Sequence, residues 1–451
     1  MITWEDIRGL SPVHVQALPD PAPMRGVAID SRKVAADMLF IARRGAAADG
    51  HHFIGEALRN GAVAAVVEEE WFTMASPAAD WPLVVVRDAD QALRDLARLQ
   101  REKMSDPVLG ITGSNGKTTT KEMIARILET RYHPLSTPGN YNNLWGLPLT
   151  ILQVAPEHDF WILEHGMNRP GEIAELCRIS QPTAGLVTTI AEVHSRNFHS
   201  VQEIADTKFA LYDALPEDGI TFQNLNDAFI RDYTPTTRRT VTYGLESDAG
   251  LSGRIDSKND QGCVRVTIDG IGPVQLQVPG AFQATNALAA AAVGLTFGVP
   301  AADIRERLEA FQAVPGRGRI LTRDGLTIID DAYNANPTSM KAALDILASF
   351  PAERRKVAIL GDMLELNSQR DQRHRQIGEY AVSCGIDVVI GVGSLARFIA
   401  EAAAGNATTQ TAHFRDVQEC TEAITTLIED GDTLLIKGSH GVHLEQLLEV
   451  L

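Results

Sequence analysis

Short apolar runs closed by small or polar residues recur along the chain, and helical spacing fills many of the intervals between them. Before residue 100 the runs are 26–29, 38–42, 62–67 and 83–86, with a helix expected after residue 54. That alternation predicts a small α/β unit. The run 108–111 reads as a buried strand, and Met123, Ile124, Ile127 and Leu128 then recur at helical spacing. Runs at 160–163 and 186–190 predict further strands, and Ile204, Phe209, Leu211 and Leu215 predict a helix over 201–215.

Between residues 220 and 280 the period shortens. Val264, Val266 and Ile268 alternate with polar residues, Asp269 and Gly270 begin a turn, and alternation resumes over 274–278. This is the pattern of an antiparallel hairpin. An Ala-rich helix is expected over 286–293. From residue 314 onward, runs at 327–329, 356–360, 387–390 and 433–436 each lead into a polar or glycine-containing loop. Strands alternating with helices imply a doubly wound, mostly parallel sheet, with ligands at the C-terminal strand ends. Gly391 and Gly393 lie in such a loop, but a dinucleotide fingerprint needs a third glycine that is missing here.

Composition narrows the class. The 451 residues are 44% hydrophobic, enough for several cores. Lys plus Arg is 41 against 58 for Asp plus Glu, a formal charge of −17. Such a chain is poorly suited to nonspecific binding of nucleic acid or anionic membranes, so local donors must hold any anionic substrate. Cys177, Cys263, Cys384 and Cys420 are far apart and form no C-x-x-C pair, which fits free thiols in a reducing compartment. The N-terminus has no basic segment followed by an apolar one, and no apolar run approaches the roughly 20 residues that span a bilayer. A cytoplasmic protein without membrane insertion is expected.

Candidate chemistry centres on residues 112–119, TGSNGKTT, between the strand 108–111 and its helix. Gly113 and Gly116 let backbone N–H groups turn inward around an oxyanion, with Ser114 and Asn115 between them. Lys117 reaches terminal phosphates, Thr118 offers a hydroxyl to magnesium, and Thr119 continues into the helix. The strict phosphate-loop pattern wants glycine where this chain has Ile111, so the shorter form carries the signal. Glu164 ends the strand 160–163, where a phosphate-loop enzyme places a carboxylate for magnesium. Residues 136–143, including Asn142 and Asn143, are too rich in turn formers and amides for a core. Arg32, Asp49 and His51 sit at element ends, where ligand binding and simple capping are both open. Lys208, beside Phe209 and Leu211, reads on its own as a lysine whose ammonium reaches water.

In order along nearly the whole chain, these features resemble the Mur ligase family. The stretches that carry the resemblance are 29–32 (IDSR), 49–54 (DGHHFI), 112–119, 139–143 (GNYNN), 146–150 (GLPLT), 330–337 (DDAYNANP), 361–366 (GDMLEL) with His374, and 437–439 (KGS). DDAYNANP is the most specific, and GNYNN points to the branch acting on D-alanyl-D-alanine.

The resemblance implies an α/β chain of three domains. These are a UDP-substrate domain over 1–102, a P-loop ATPase-type domain with an added antiparallel hairpin region over 103–313, and a Rossmann-like doubly wound domain over 314–451. It implies an ATP-dependent, ADP-forming amide ligase using UDP-N-acetylmuramoyl-tripeptide and D-alanyl-D-alanine, as a monomer with two magnesium ions. Lys117 and Thr118 would hold phosphates and the first metal. Glu164, His194 and Lys208 would serve the second, with Lys208 as a carbamate. Asn286, Arg317, Asp331, Tyr333 and Asn334 would hold the nucleotide. Ser31, Arg32, Asp49, His51, Asn142 and Asn143 would face the acyl substrate. The chain departs from the family pattern at Phe282 and Gln283 (usually His and Asn), at Ala210 (usually Glu) and at His440 (commonly Arg). A divergent ligase of the same architecture with another amine acceptor, folylpolyglutamate-synthase-like or another Mur enzyme, and a non-catalytic nucleotide switch are the competing readings.

Overall fold

The computed structural model describes residues 2–19, 24–45, 48–193, 196–366 and 369–451. Its strands form three sheets, in the α/β arrangement the alternating pattern predicts. The first contains β1 (His14–Gln16), β2 (Gly26–Ala28), β3 (Met38–Ile41), β4 (Ala62–Glu68) and β5 (Leu83–Val86), in the order β1-β5-β4-β3-β2. Only β1 runs antiparallel. Leu83, Val84, Val85 and Val86 are all buried, as an unbroken apolar run requires when both faces of a parallel sheet are covered. Helix Ala89–Glu102 covers one face through Ala92, Leu93, Leu96 and Ala97, and Asp88 caps its start by accepting the Gln91 N–H.

The second sheet contains β6 (Val108–Thr112), β7 (Pro134–Ser136), β8 (Phe160–Glu164), β9 (Ala184–Val187), β10 (Ile220–Asn224), β11 (Arg239–Leu245), β12 (Leu251–Lys258), β13 (Cys263–Ile268) and β14 (Gly272–Pro279). Its order is β14-β13-β12-β11-β10-β9-β6-β8-β7. The expected hairpin is β13–β14, with Val266 opposite Val274. It does not stand apart, because β12 pairs with β13 on one side and β11 on the other and so joins the hairpin to the parallel strands. The Ala-rich helix Phe282–Thr296 packs on helix Lys117–Leu128, and its small side chains permit the close approach. A Cβ on Gly294 would lie 2.6 Å from Ile127 Cγ2.

The third sheet contains β15 (Arg319–Arg323), β16 (Leu326–Asp330), β17 (Lys356–Gly361), β18 (Val388–Val392), β19 (Gln410–Phe414) and β20 (Thr433–Lys437), ordered β15-β16-β20-β17-β18-β19. Only β15 is antiparallel. Because β20 inserts between β16 and β17, the C-terminal ends carrying Asp330, Lys437 and Gly361 become neighbours. At the end of β18, the loop after Gly391 is already filled from within. Asp362 Oδ1 accepts the N–H groups of Leu395 at 2.9 Å and Ala396 at 2.7 Å, donors that a dinucleotide pyrophosphate would need. Among the described residues no helix is long and apolar enough to cross a membrane.

Candidate active site

The loop after β6 is fastened from both sides. Ser114 donates its N–H to Thr189 O, Asn115 donates its N–H to Thr189 Oγ1, and Thr188 Oγ1 donates to Asn115 O at 2.6 Å. Ser114 Oγ both donates to Ala191 O and accepts its N–H. Gly116 has φ 84°, in the left-handed region, and a Cβ there would lie 2.8 Å from Asn286 Oδ1. Glycine therefore lets Asn286, on the Ala-rich helix, approach the loop directly. Helix Lys117–Leu128 starts at this point and directs its free N–H groups at the loop. Lys117 Nζ folds back to donate to Gly113 O at 2.6 Å. Burial pushes the Lys117 ammonium below its ordinary pKa; Glu164 and Glu365 oppose that shift, and Arg317 adds to it.

Glu164, buried at the end of β8, faces the same loop. Its Oε2 accepts the Thr118 hydroxyl at 3.1 Å and its Oε1 accepts Asn142 Nδ2 at 2.8 Å. A buried carboxylate beside a threonine hydroxyl is a hard oxygen donor set, which suits magnesium. The loop carrying Asn142 folds tightly because glycines receive it. A Cβ on Gly146 would lie 2.4 Å from Tyr141 Cα, and one on Gly166 would lie 2.7 Å from Asn142 Oδ1. At its root, Thr137 Oγ1 accepts the Glu164 N–H, and the fully buried Lys121 donates to Thr137 O.

The third sheet supplies the opposite wall. Asp331 and Asn334, just after β16, are held by Lys437, whose Nζ donates to Asp331 Oδ2 at 2.7 Å and Asn334 O at 2.9 Å. Asn336 caps helix Pro337–Ala348 through Ser339, with Pro337 at its first turn. The Asn336 amide also donates Nδ2 to Asn115 Oδ1 at 2.8 Å, joining this wall to the phosphate loop. The Arg317 guanidinium lies over the Tyr333 ring at 3.8 Å, and His440 stacks on the same ring at 5.3 Å. Between the walls lies a cavity of about 990 Å3. Its lining includes residues 114–119, Asn142, Asn143, Glu164, Asn286, Arg317, Asp331, Tyr333 and Asn334. At one end it reaches Asp90 and Arg94 on the helix that packs on the first sheet.

Other expected site residues lie elsewhere. Gly113 is at the base of the loop, outside the lining. Ser31 donates Oγ to Glu56 Oε2, and Arg32 forms an exposed fork with Asp30. Asp49 accepts both the N–H and the Nδ1 side of His51, which is buried, stacks on Trp71 and receives the Glu68 N–H on Nε2. These four do not line the cavity. Lys208 is 2% exposed rather than reaching water. No hydrogen bond or ion pair joins its amine to another described residue. Burial, with the Lys117 charge second, pushes its pKa well below the ordinary value. His194 lies outside the described residues. Phe282 is 46% exposed on the cavity rim, and Gln283 accepts Asn286 Nδ2 at 2.8 Å. Asn336 and Lys437 lie in the stretches that carry the family resemblance, but sequence reasoning assigned neither a role. The Asn-Pro pair of a helix start was the available signal for the first.

Comparison with known proteins follows the same outline. Residues 23–101 match the Mur ligase family catalytic domain, 111–294 the Mur ligase middle domain and 316–440 the Mur ligase glutamate ligase domain. A UDP-N-acetylmuramoyl-tripeptide--D-alanyl-D-alanine ligase of Bacillus subtilis (strain 168) is 35% identical, over 95% of this chain and 93% of that protein. The chain belongs to the Mur ligase family. The Escherichia coli (strain K12) Mur ligase with the same description is 33% identical over 94% of this chain and 93% of its own length. A MurF crystal structure from Acinetobacter baumannii superposes with TM-score 0.84 at 28% identity, covering 97% of this chain and 99% of that one. MurF from Thermotoga maritima, solved in complex with ADP, gives 0.81 at 29% identity, covering 95% and 97%. The ATP-dependent ligase chemistry of Mur enzymes thus has a nucleotide loop, an opposing wall and a shared cavity in this chain.

Proposed function

We propose that this Mur ligase joins D-alanyl-D-alanine to the terminal carboxylate of a UDP-N-acetylmuramoyl-tripeptide in cytoplasmic peptidoglycan precursor synthesis, converting ATP to ADP and phosphate. The observation that carries the reading is the cavity shared by the phosphate loop, the Glu164–Asn142 pair and the Asp331–Asn336 wall. A peptide carboxylate is too poor an electrophile for an amine at neutral pH. Its oxygen therefore attacks the γ-phosphorus of ATP, the bond to the bridging oxygen breaks, and ADP leaves. The neutral amine of D-alanyl-D-alanine next attacks the acyl carbon of the resulting acyl phosphate. The tetrahedral intermediate collapses to the amide, and phosphate and a proton depart. Charge grows on the phosphoryl oxygens and then on the tetrahedral oxygen, so cationic donors must face both.

In this reading the loop N–H groups and Lys117 hold the phosphates. Arg317, Tyr333, Asn334, Asp331 and Asn286 hold the rest of the nucleotide from the two walls. Thr118 and Glu164 would hold magnesium, which when bound neutralises phosphate charge. Lys208, as a carbamate, and His194 would complete a second metal position. The units 1–102, 103–313 and 314–451 act together, the first binding the uridine nucleotide around residues 31–32 and 49–51, and the chain works as a monomer.

Gly166→Ala tests the support of Glu164. The added methyl displaces Asn142, and misplacement near the reacting groups costs up to about 100-fold in turnover. The melting temperature should stay within a few degrees of wild type, and wild-type turnover would remove Asn142 from the site. The amine assignment is tested by offering D-alanyl-D-alanine, single amino acids and glutamate as acceptors. Amide formation with D-alanyl-D-alanine far above the others is expected. Equal or better use of another amine would replace that substrate.

A further inference from the structure

The residues after Lys437 carry a cluster of side chains to which the ligase reading assigns no role. His440, His443 and Glu445 offer ligand atoms that all lie within 4.8 Å of one another. His443 Nδ1 is 3.2 Å from Glu445 Oε1, and the two imidazole centroids are 5.8 Å apart. We propose that these three side chains form a surface site for a divalent transition ion of the zinc class, and that His440 couples the site to the nucleotide cavity.

The backbone sets the cluster up. His443 has φ 59° and ψ 36°, in the left-handed region that histidine enters more readily than most residues with a Cβ. It joins the short helical turns His440–Val442 and Leu444–Glu449 and reverses the chain between them. Leu444 and Leu447 are fully buried, which pins the second turn while the three polar side chains stay accessible to water.

The donor set selects the ion. Two imidazoles and one carboxylate with an open position match zinc, cobalt or nickel at about 2.0–2.2 Å. Magnesium prefers an all-oxygen shell and keeps its water, so it does not compete here. Closing from 4.8 Å to the ligand spacing of such an ion requires side-chain rotation only, because these side chains face solvent.

Coupling runs through His440. Its ring lies nearly parallel to Tyr333, at 14°, and the Arg317 guanidinium rests on that same tyrosine. His440 also lines the cavity, whereas His443 and Glu445 do not. An ion that draws His440 toward His443 takes it off Tyr333 and loosens the Tyr333–Arg317 contact. The result is weaker nucleotide binding. This second half rests on the nucleotide reading given above.

The test uses the full chain with excess magnesium and ATP analogue, titrated with cobalt(II) and followed by visible absorption. One ion per chain should produce the intense bands of a low-coordinate nitrogen and oxygen site. His443→Ala and Glu445→Gln should each weaken that binding by at least about tenfold. In turnover assays zinc should raise the KM for ATP of wild type and act at least about tenfold less strongly on either variant. Both variants should match wild type without zinc. Unchanged cobalt spectra in both variants overturn the site. Cobalt binding lost in the variants but with no zinc effect on wild-type KM keeps the site and overturns the coupling. Absence of ATP turnover in all proteins, with the spectra as expected, would instead overturn the ligase reading.

Discussion

Lys117→Ala is expected to fold normally and to lose turnover by roughly two orders of magnitude or more. The residue starts a helix at the cavity edge, and among the described residues its ammonium donates only to Gly113 O, so little of the core depends on it. What it contributes is a cation at the cavity, aimed where phosphoryl charge develops. Burial already holds its pKa below the ordinary lysine value, which means that the site pays to keep the charge there. ATP places negative phosphates beside it and favours the charged form. The measurement is steady-state ligation with circular dichroism and thermal melting as fold controls. A folded variant with near-normal ATP-dependent ligation would contradict the phosphate-loop role.

Lys208→Ala carries the second large effect. A lysine beside Phe209 and Leu211 normally sends its ammonium to water, yet here the side chain is buried and finds no polar partner among the described residues. Burial and the nearby Lys117 charge favour the neutral amine, which is the form that adds CO2. The product is a carbamate, which exchanges a positive charge for a negative one and provides two hard oxygens. Most ligation should be lost in Lys208→Ala while ATP binding stays within a few-fold of wild type. Acetate or formate should restore part of the activity by supplying a carboxylate in the emptied space. A carbamate carbon signal from labelled CO2 in wild type, absent from the variant, is the direct observation. Wild-type turnover in Lys208→Ala would end this role for the residue.

The strands and loops that build the site were legible because the signals were local. An apolar run, two glycines and Lys-Thr specify the phosphate loop within a few residues, and Glu164 follows from a strand ending in a carboxylate. Polar edge strands were not legible. β15, Arg-Ile-Leu-Thr-Arg, and β19, Gln-Thr-Ala-His-Phe, are partly exposed. β15 pairs with β16 across the short turn Asp324-Gly325, and β19 pairs with β18 across an intervening helix. Neither carries the apolar run that marks a buried strand. The strand order was equally hidden, because nothing near Lys437 announces that β20 inserts beside Asp331. Asp49 and His51 illustrate the limit for candidate residues. Their spacing left capping and ligand binding both open. The structure shows Asp49 capping the turn and His51 stacked on Trp71, and a role toward the uridine nucleotide rests on the family resemblance. Lys208 shows the reverse, a residue whose pattern suggested exposure and whose tertiary surroundings bury it.

A ligase of this kind consumes ATP only in making the amide. Phosphate release by the wild-type chain, with ATP and magnesium, should be measured with UDP-N-acetylmuramoyl-tripeptide and D-alanyl-D-alanine together, with each alone and with neither. Release should be sustained only when both are present, in equal amount to the UDP-N-acetylmuramoyl-pentapeptide formed. Sustained release without either substrate, or none with both, would contradict the account.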